Sequence, residues 1–342
     1  KFFDGNGYKL PDEVEDQLEE YVRQSADNEL PRPTGDGIGK IEHNSNLAHF
    51  YAHFVRHTID TSLEGMTIVY DGANGAASSV GPEILAGLGA KVININVNPD
   101  GLNINHHCGS THIEGLQVAV QQHNADLGIA NDGDADRCLL VDEKGQVLDG
   151  DQIMLLCALK LKEEGKLKDD TVVGTVMSNI GFHKAAKELG MKTFATAVGD
   201  RYVLEYMREH NLSVGGEQSG HVIFLDHNTT GDGMLTAVQV AALMKEKNQP
   251  LSELAGIMTK YPQVLINVRV ATKTGWEDND LIKAAIVTAE GELGVEGRVL
   301  VRASGTEPLI RVMAEGPDQE ALQALCQEIA DIIGREQGLA EK

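Results

Sequence analysis

A chain of 342 residues exceeds what one hydrophobic core fills and implies about two to four domains. Its 42% hydrophobic content and 37 glycines suit an ordinary α/β protein, while a formal charge of −23 argues against the broad basic face that nucleic acid or an anionic membrane requires. Cys108, Cys138, Cys157 and Cys326 form no CxxC pair, which fits reduced thiols in a cytoplasmic protein, and the apolar run Ile153 to Leu161 is too short to span a membrane.

Lys1-Phe2-Phe3 shows neither an initiator Met nor a signal-peptide pattern, so the chain is expected to be a piece of something longer. Pro11 and the acids that follow it suit a helix N-terminus, and residues 25–40, rich in Asp, Asn, Pro and Gly, read as a linker. Beyond these, the patterns predict a helix over Asn46 to Ile59, a strand over Met66 to Tyr70, a Gly-rich turn at Asp71 to Gly75 and a helix to Gly89. A strand over Lys91 to Val97, a helix over Ile113 to His123 and a strand over Asp126 to Ala130 follow. The alternation repeats with helices over 152–164, 181–189, 201–210 and 233–247 and strands over 171–177 and 192–198. From 264 the order changes to strand 264–270, helix 279–290, strands 298–302 and 309–314, and helix 318–333. The expected fold class is α/β: tandem three-layer α/β domains with mixed or parallel sheets, a seam just after the acidic loop described next, then a small α+β domain.

Three loops carry chemistry. Asp132-Gly133-Asp134-Ala135-Asp136-Arg137 follows a strand, whose alternate residues lie about 6.5–7 Å apart, too far to grip one ion. Gly133 and Ala135 are small spacers that let the loop curl until Asp132, Asp134 and Asp136 converge on a hard cation such as Mg²⁺. A calcium loop competes, with Glu143 at its twelfth position, but Arg137 stands where the sharp turn needs Gly and apolar Cys138 to Val141 follow where a helix should. A phosphatase of the haloacid dehalogenase type, with Asp132 as nucleophile, would want Thr or Val soon after its Asp-x-Asp, where Ala-Asp-Arg stands. A solvated acidic turn is the plainest alternative.

Gly215-Gly216-Glu217-Gln218-Ser219-Gly220-His221 offers a carboxylate, an amide, a hydroxyl and an imidazole in one short run, a density suited to sorting the hydroxyl or amino groups of a sugar. His221 could instead be a strand-edge residue bonded to a backbone carbonyl. In Arg302-Ala303-Ser304-Gly305-Thr306-Glu307-Pro308-Leu309-Ile310-Arg311, two hydroxyls, a permissive glycine and flanking arginines have the parts of a phosphate cradle, against the alternative of a hairpin with surface arginines. The chain has no GxxxxGK[ST] run and no strand-linked GxGxxG, so a nucleotide site lacks support.

These three runs, in this order, resemble the α-D-phosphohexomutase superfamily over essentially the whole chain, with lesser echoes at Thr175-Val-Met-Ser-Asn179, Val198-Gly-Asp-Arg-Tyr202 and Thr230-Gly-Asp-Gly233. Gln218, where the phosphomannomutase/phosphoglucomutase branch usually has Met, favours the glucosamine-phosphate branch. The resemblance implies that 1–40 is a remnant of a first domain plus linker, 41–147 an α/β domain with the metal loop, 148–262 an α/β domain with the sugar loop, and 263–342 a TATA-binding-protein-like, phosphate-binding domain. It implies interconversion of glucosamine 6-phosphate and glucosamine 1-phosphate through glucosamine 1,6-bisphosphate, using Mg²⁺ and a phosphoserine. A small-molecule phosphosugar is the implied partner, with a homodimer allowed.

Carried over residue by residue, Asp132, Asp134 and Asp136 are metal ligands, with Arg137 and Lys1 as catalytic residues beside the chemistry. Gly199, Asp200, Glu217, Ser219 and His221 bind the sugar, and Arg302, Ser304, Gly305, Thr306 and Arg311 bind phosphate. Ala135 replaces the usual second Gly of the metal loop, which matters if that position needs φ > 0. No Ser-His-Asn occurs in the sequence, so the phosphoserine motif is missing and this chain is expected to bind phosphosugar and metal without turnover. A noncatalytic phosphosugar-binding module is the alternative of another class.

Overall fold

Branched and apolar runs alternate with helical ones along most of the chain, and the computed structural model, which describes residues 2–26, 30–44, 46–304 and 307–338, gathers the strands into three sheets among those residues. Helix α1 (Asp12–Ala26) places Asp12, Glu13 and Glu15 at the positive end of its dipole and buries no residue. Next come α2 (Asn46–Arg56), β1 (Thr67–Asp71), α3 (Val80–Gly87), β2 (Lys91–Ile95), α4 (Glu114–His123), β3 (Leu127–Asn131), β4 (Cys138–Asp142) and β5 (Val147–Leu148). Their sheet runs β2-β1-β3-β4-β5, with β1 parallel to β2 and β3, and with β4 and β5 turning back antiparallel. Leu116, Ala119 and Val120 of α4 pack on Val69, Ala130 and Val141 of the sheet. The strand expected to reach Val97 stops at Ile95 because Asn96 turns left-handed, with φ 52°.

The second group comprises α5 (Gly150–Glu163), β6 (Thr171–Thr175), α6 (Ile180–Glu188), β7 (Lys192–Thr196), α7 (Asp200–Glu209), β8 (Val214–Gly216), β9 (Val222–Phe224), α8 (Gly233–Lys247) and α9 (Leu251–Leu254). The sheet order is β7-β6-β8-β9, with β8 parallel to β6 and antiparallel to β9. A capping box between Asp149 and Gln152 starts α5. Helix α8 begins at the N-cap Asp232, ends at left-handed Asn248, and buries every residue from Gly233 to Met244. It packs on α2, β3 and β4 and also on α5, so one buried helix joins the two groups. Lys1–Val176 and Phe194–Ala255 therefore form a single compact unit.

The other compact unit combines Met177–Thr193 with Gly256–Lys342. It holds β10 (Gln263–Arg269), α10 (Asp280–Leu293), β11 (Arg298–Ala303), β12 (Leu309–Glu315) and α11 (Gln319–Glu336), its sheet antiparallel in the order β10-β12-β11. Val264, Ile310, Val312, Leu322 and Ile329 are among its core residues. Helix α6 belongs to this unit although it lies between β6 and β7 in sequence. Among the described residues no helix is long and apolar enough to cross a membrane.

Candidate functional site

Asn131 and Cys138 face each other across antiparallel β3 and β4, so Asp132 to Arg137 form the loop between them. The Ala135 N–H donates to the Asp132 carbonyl at 3.1 Å, and the Arg137 N–H donates to Asp132 Oδ1 at 3.2 Å. Ala135 takes φ 60°, the left-handed conformation that a glycine would adopt more easily. The curl brings one carboxyl oxygen each of Asp132, Asp134 and Asp136 within 4.8 Å of one another. Burial raises the Asp132 pKa; the Arg137 N–H bond opposes that shift, and the Asp134 charge adds to it. Arg137 Nε stands 3.9 Å from both Asp132 Oδ2 and Asp136 Oδ1, offsetting charge without hydrogen bonding. A hard cation with oxygen contacts of about 2.0–2.6 Å can bridge such a trio. Strand β4 follows the loop directly, so the second helix of a calcium-binding hand has no counterpart here.

Glu217 to His221 turn between β8 and β9, and main-chain bonds fasten this turn to the acidic loop: Arg137 bridges His221, and the Cys138 N–H donates to the Gly220 carbonyl at 3.0 Å. His221 is 2% exposed and lines a small cavity together with Asp200 and Thr230. Its Nε2 accepts from the Gly231 N–H at 3.2 Å, which leaves Nδ1 to carry the proton toward Asp136 Oδ2, also at 3.2 Å. Asp200 Oδ2 lies 3.9 Å from His221 Nε2, and Glu217 Oε1 accepts from the Gly199 N–H at 3.0 Å. Gly199, Asp200, Glu217 and His221 thus gather beside the trio, with Ser219 exposed at the tip of the turn.

A cavity of about 410 Å³ opens beside Asp134 and Asp136, walled in part by Tyr51, Asn228 and Asp232. The Tyr51 hydroxyl donates to Asp232 Oδ1 at 2.8 Å. Reasoning from sequence missed this pair. Asp232 had a signal in the run Thr230 to Gly233, whereas Tyr51 sits in a helix whose pattern reads as core.

In the C-terminal unit, Arg302 of β11 and Arg311 of β12 are directly opposite each other. Burial lowers the Arg302 pKa, and the Arg311 charge lowers it further. Arg311 Nη2 reaches Glu307 Oε2 at 3.4 Å, while its Nε is buried without a hydrogen-bond partner among the described residues. Ser304 is buried and its Oγ accepts from the Glu307 N–H at 3.3 Å. Lys273, which sequence reasoning passed over, donates from Nζ to the carbonyls of Ser304 at 2.6 Å and Glu307 at 3.4 Å. Lys1, Gly305 and Thr306 lie outside the described residues.

Comparison with known proteins adds independent findings. Family models for phosphoglucomutase/phosphomannomutase match along the chain: alpha/beta/alpha domain II over residues 48–145, alpha/beta/alpha domain III over 149–261, and the C-terminal domain over 265–332. A phosphoglucosamine mutase of Symbiobacterium thermophilum is 55% identical over 338 residues, which span 98% of this chain and 75% of that protein. A phosphoglucomutase/phosphomannomutase family protein from Burkholderia thailandensis superposes with a TM-score of 0.74 at 20% identity, covering 95% of this chain and 71% of that one. Aspergillus fumigatus N-acetylphosphoglucosamine mutase, solved with GlcNAc-6P and magnesium, superposes with a TM-score of 0.67 at 23% identity, covering 82% of this chain and 68% of that one. The two structural likenesses speak for the fold.

Proposed function

This chain belongs to the phosphoglucosamine mutase family, and from that premise we propose that it binds the phosphosugar and metal of the interconversion of glucosamine 6-phosphate and glucosamine 1-phosphate by way of glucosamine 1,6-bisphosphate, without turnover by itself because it holds no Ser-His-Asn motif. The observation that carries the substrate class is the Arg302–Arg311 pair. Like charges directly opposite each other destabilise a sheet, and a phosphate offers both guanidinium groups forked acceptors that remove the repulsion. Ser304 adds a hydroxyl, and Lys273 braces the loop by holding two of its carbonyls. This cradle takes a phosphate of the sugar.

Glu217, with one oxygen fixed by the Gly199 N–H, presents a carboxylate to a sugar hydroxyl or amine, and Ser219 stands exposed next to it. Asp132, Asp134 and Asp136 would hold Mg²⁺, which when bound supplies positive charge to the phosphoryl oxygens. Arg137 adds a fixed charge at the same loop. His221 holds Asp136 from behind. Lys1 keeps the role of proton carrier on family resemblance alone.

Calorimetric titration of the chain with glucosamine 6-phosphate in the presence of Mg²⁺ tests the reading. Binding is expected, with Arg302→Ala or Arg311→Ala weakening it by about tenfold or more, the worth of a charge-assisted hydrogen bond. Equal affinity for unphosphorylated glucosamine would defeat the assignment of substrate class.

A further inference from the structure

We infer that Asn131 is a positioning residue that holds the acidic loop ready for its cation, and that Tyr70 orients it; the inference rests on the reading of that loop as a metal site. Asn131 ends β3 immediately before Asp132 and is 0% exposed. A buried carboxamide lowers stability unless both of its ends are bonded. Both are: Nδ2 donates to the Arg137 carbonyl at 2.7 Å, and Oδ1 accepts from the Tyr70 hydroxyl at 3.0 Å. Because a carbonyl only accepts, it must take the NH₂ end, and the orientation of the amide is fixed.

The side chain of Asn131 therefore closes the neck of the loop. Arg137 is gripped twice, its carbonyl by Asn131 and its N–H by Oδ1 of Asp132, the first member of the acidic trio. Slack at this neck would let the Asp132 carboxylate swing. The surrounding helices make room for the arrangement. A Cβ on Gly233 of α8 would fall 2.3 Å from both Asn131 Nδ2 and the Arg137 carbonyl oxygen, and one on Gly81 of α3 would fall 2.4 Å from the Tyr70 ring. Both glycines lie in the first turn of their helices, and an apolar residue at position 131 would need no bonded partners. Two helical glycines and a buried polar pair converging on one loop neck are accounted for by the need to hold the trio in place.

The test is calorimetric titration of the whole chain with Mg²⁺. Asn131→Ala is expected to weaken Mg²⁺ binding by about 10–100-fold, the usual effect of losing a residue that orients a metal ligand. Tyr70→Phe keeps the ring and removes one oxygen. It should weaken binding in the same direction by less, and it reports even where Asn131→Ala does not fold. Gln239→Leu is the control: it removes another buried carboxamide, bonded to Thr58, about 9 Å further along α8 than Gly233. Its melting temperature should fall with Mg²⁺ affinity within about twofold of the parent. Parent-like affinity in folded Tyr70→Phe and Asn131→Ala overturns the inference, as does equal weakening by Gln239→Leu. If the unaltered chain binds Mg²⁺ no better than Asp134→Asn does, the metal reading itself falls and takes the inference with it.

Discussion

Ala135 occupies a left-handed conformation, φ 60°, in which its Cβ crowds the neighbouring carbonyl. Its carbonyl accepts from the Gly233 N–H at 3.0 Å and its N–H is tied to Asp132, so the loop cannot relax without giving up bonds. The strain is held there because it turns Asp134 and Asp136 toward Asp132. Replacing Ala135 with Gly should relieve about 1 kcal/mol of strain, less a few tenths for the greater freedom of glycine in the unfolded chain. The expected outcome is a higher urea midpoint with Mg²⁺ affinity unchanged. A lower midpoint would mean that the methyl group contributes packing that outweighs its strain. A different residue-level cost is carried by Arg302 and Arg311, whose mutual repulsion a bound phosphate would offset.

Helix α6 shows how an element can set pH dependence away from the chemistry. His183 Nδ1 lies 2.9 Å from Thr193 Oγ1, and burial, aided by the Arg298 charge, lowers its pKa from 6.5 to about 4. A histidine with a depressed folded pKa binds its proton more readily when unfolded, so its contribution is complete above about 6.5 and is lost as pH falls toward 4. The ring is partly exposed, and after allowance for solvent screening the loss is about 1–2 kcal/mol. Urea unfolding at pH 7 and pH 4.5 should show the unaltered chain losing that much relative to His183→Gln. Parallel losses in the two proteins would exclude His183 as the cause. The elements around it were legible to different degrees. The strands and helices of the C-terminal unit have clear periods, and α8 was readable by its length and mostly apolar run. Strand β8 was hidden because Gly215 and Gly216 carry no side-chain pattern, so it read as part of a loop. The chemical types in the three loops were visible in sequence, but the main-chain bonds that join the acidic loop to the Glu217–His221 turn were not. Tyr51 and Asp232 bond across 181 positions, and Gly231 and Asp136 come to either side of the His221 ring. Burial and long-range contact decide those features, and neither has a local signature.

At the scale of the molecule, the chain divides into two compact units with their own cores, and α6 is given to the unit that does not contain its preceding strand. Glu315 explains that allegiance. Its carboxylate is 0% exposed and accepts from Arg298 Nε at 2.8 Å, Gln263 Nε2 at 3.0 Å and the Ile180 N–H that opens α6 at 2.9 Å. Burial raises the Glu315 pKa while Arg298 opposes the rise, so the guanidinium is what keeps a buried charge tolerable. Arg298→Met preserves the stem and strands that charge, which should destabilise this unit by about 3 kcal/mol. Because α6 starts at the same carboxylate, its amides should be among the first to lose protection, together with those of β10 to β12. Helix α8, buried in the other unit, should keep its protection. Hydrogen exchange on Arg298→Met reads both at once. Protection lost evenly, with α8 exchanging as fast as α6, would show that the two cores unfold as one body and that Glu315 does not confine its effect to the C-terminal unit. Protection lost only in Met177–Thr193 and beyond Gly256 would make that carboxylate the link that assigns α6 to the C-terminal unit.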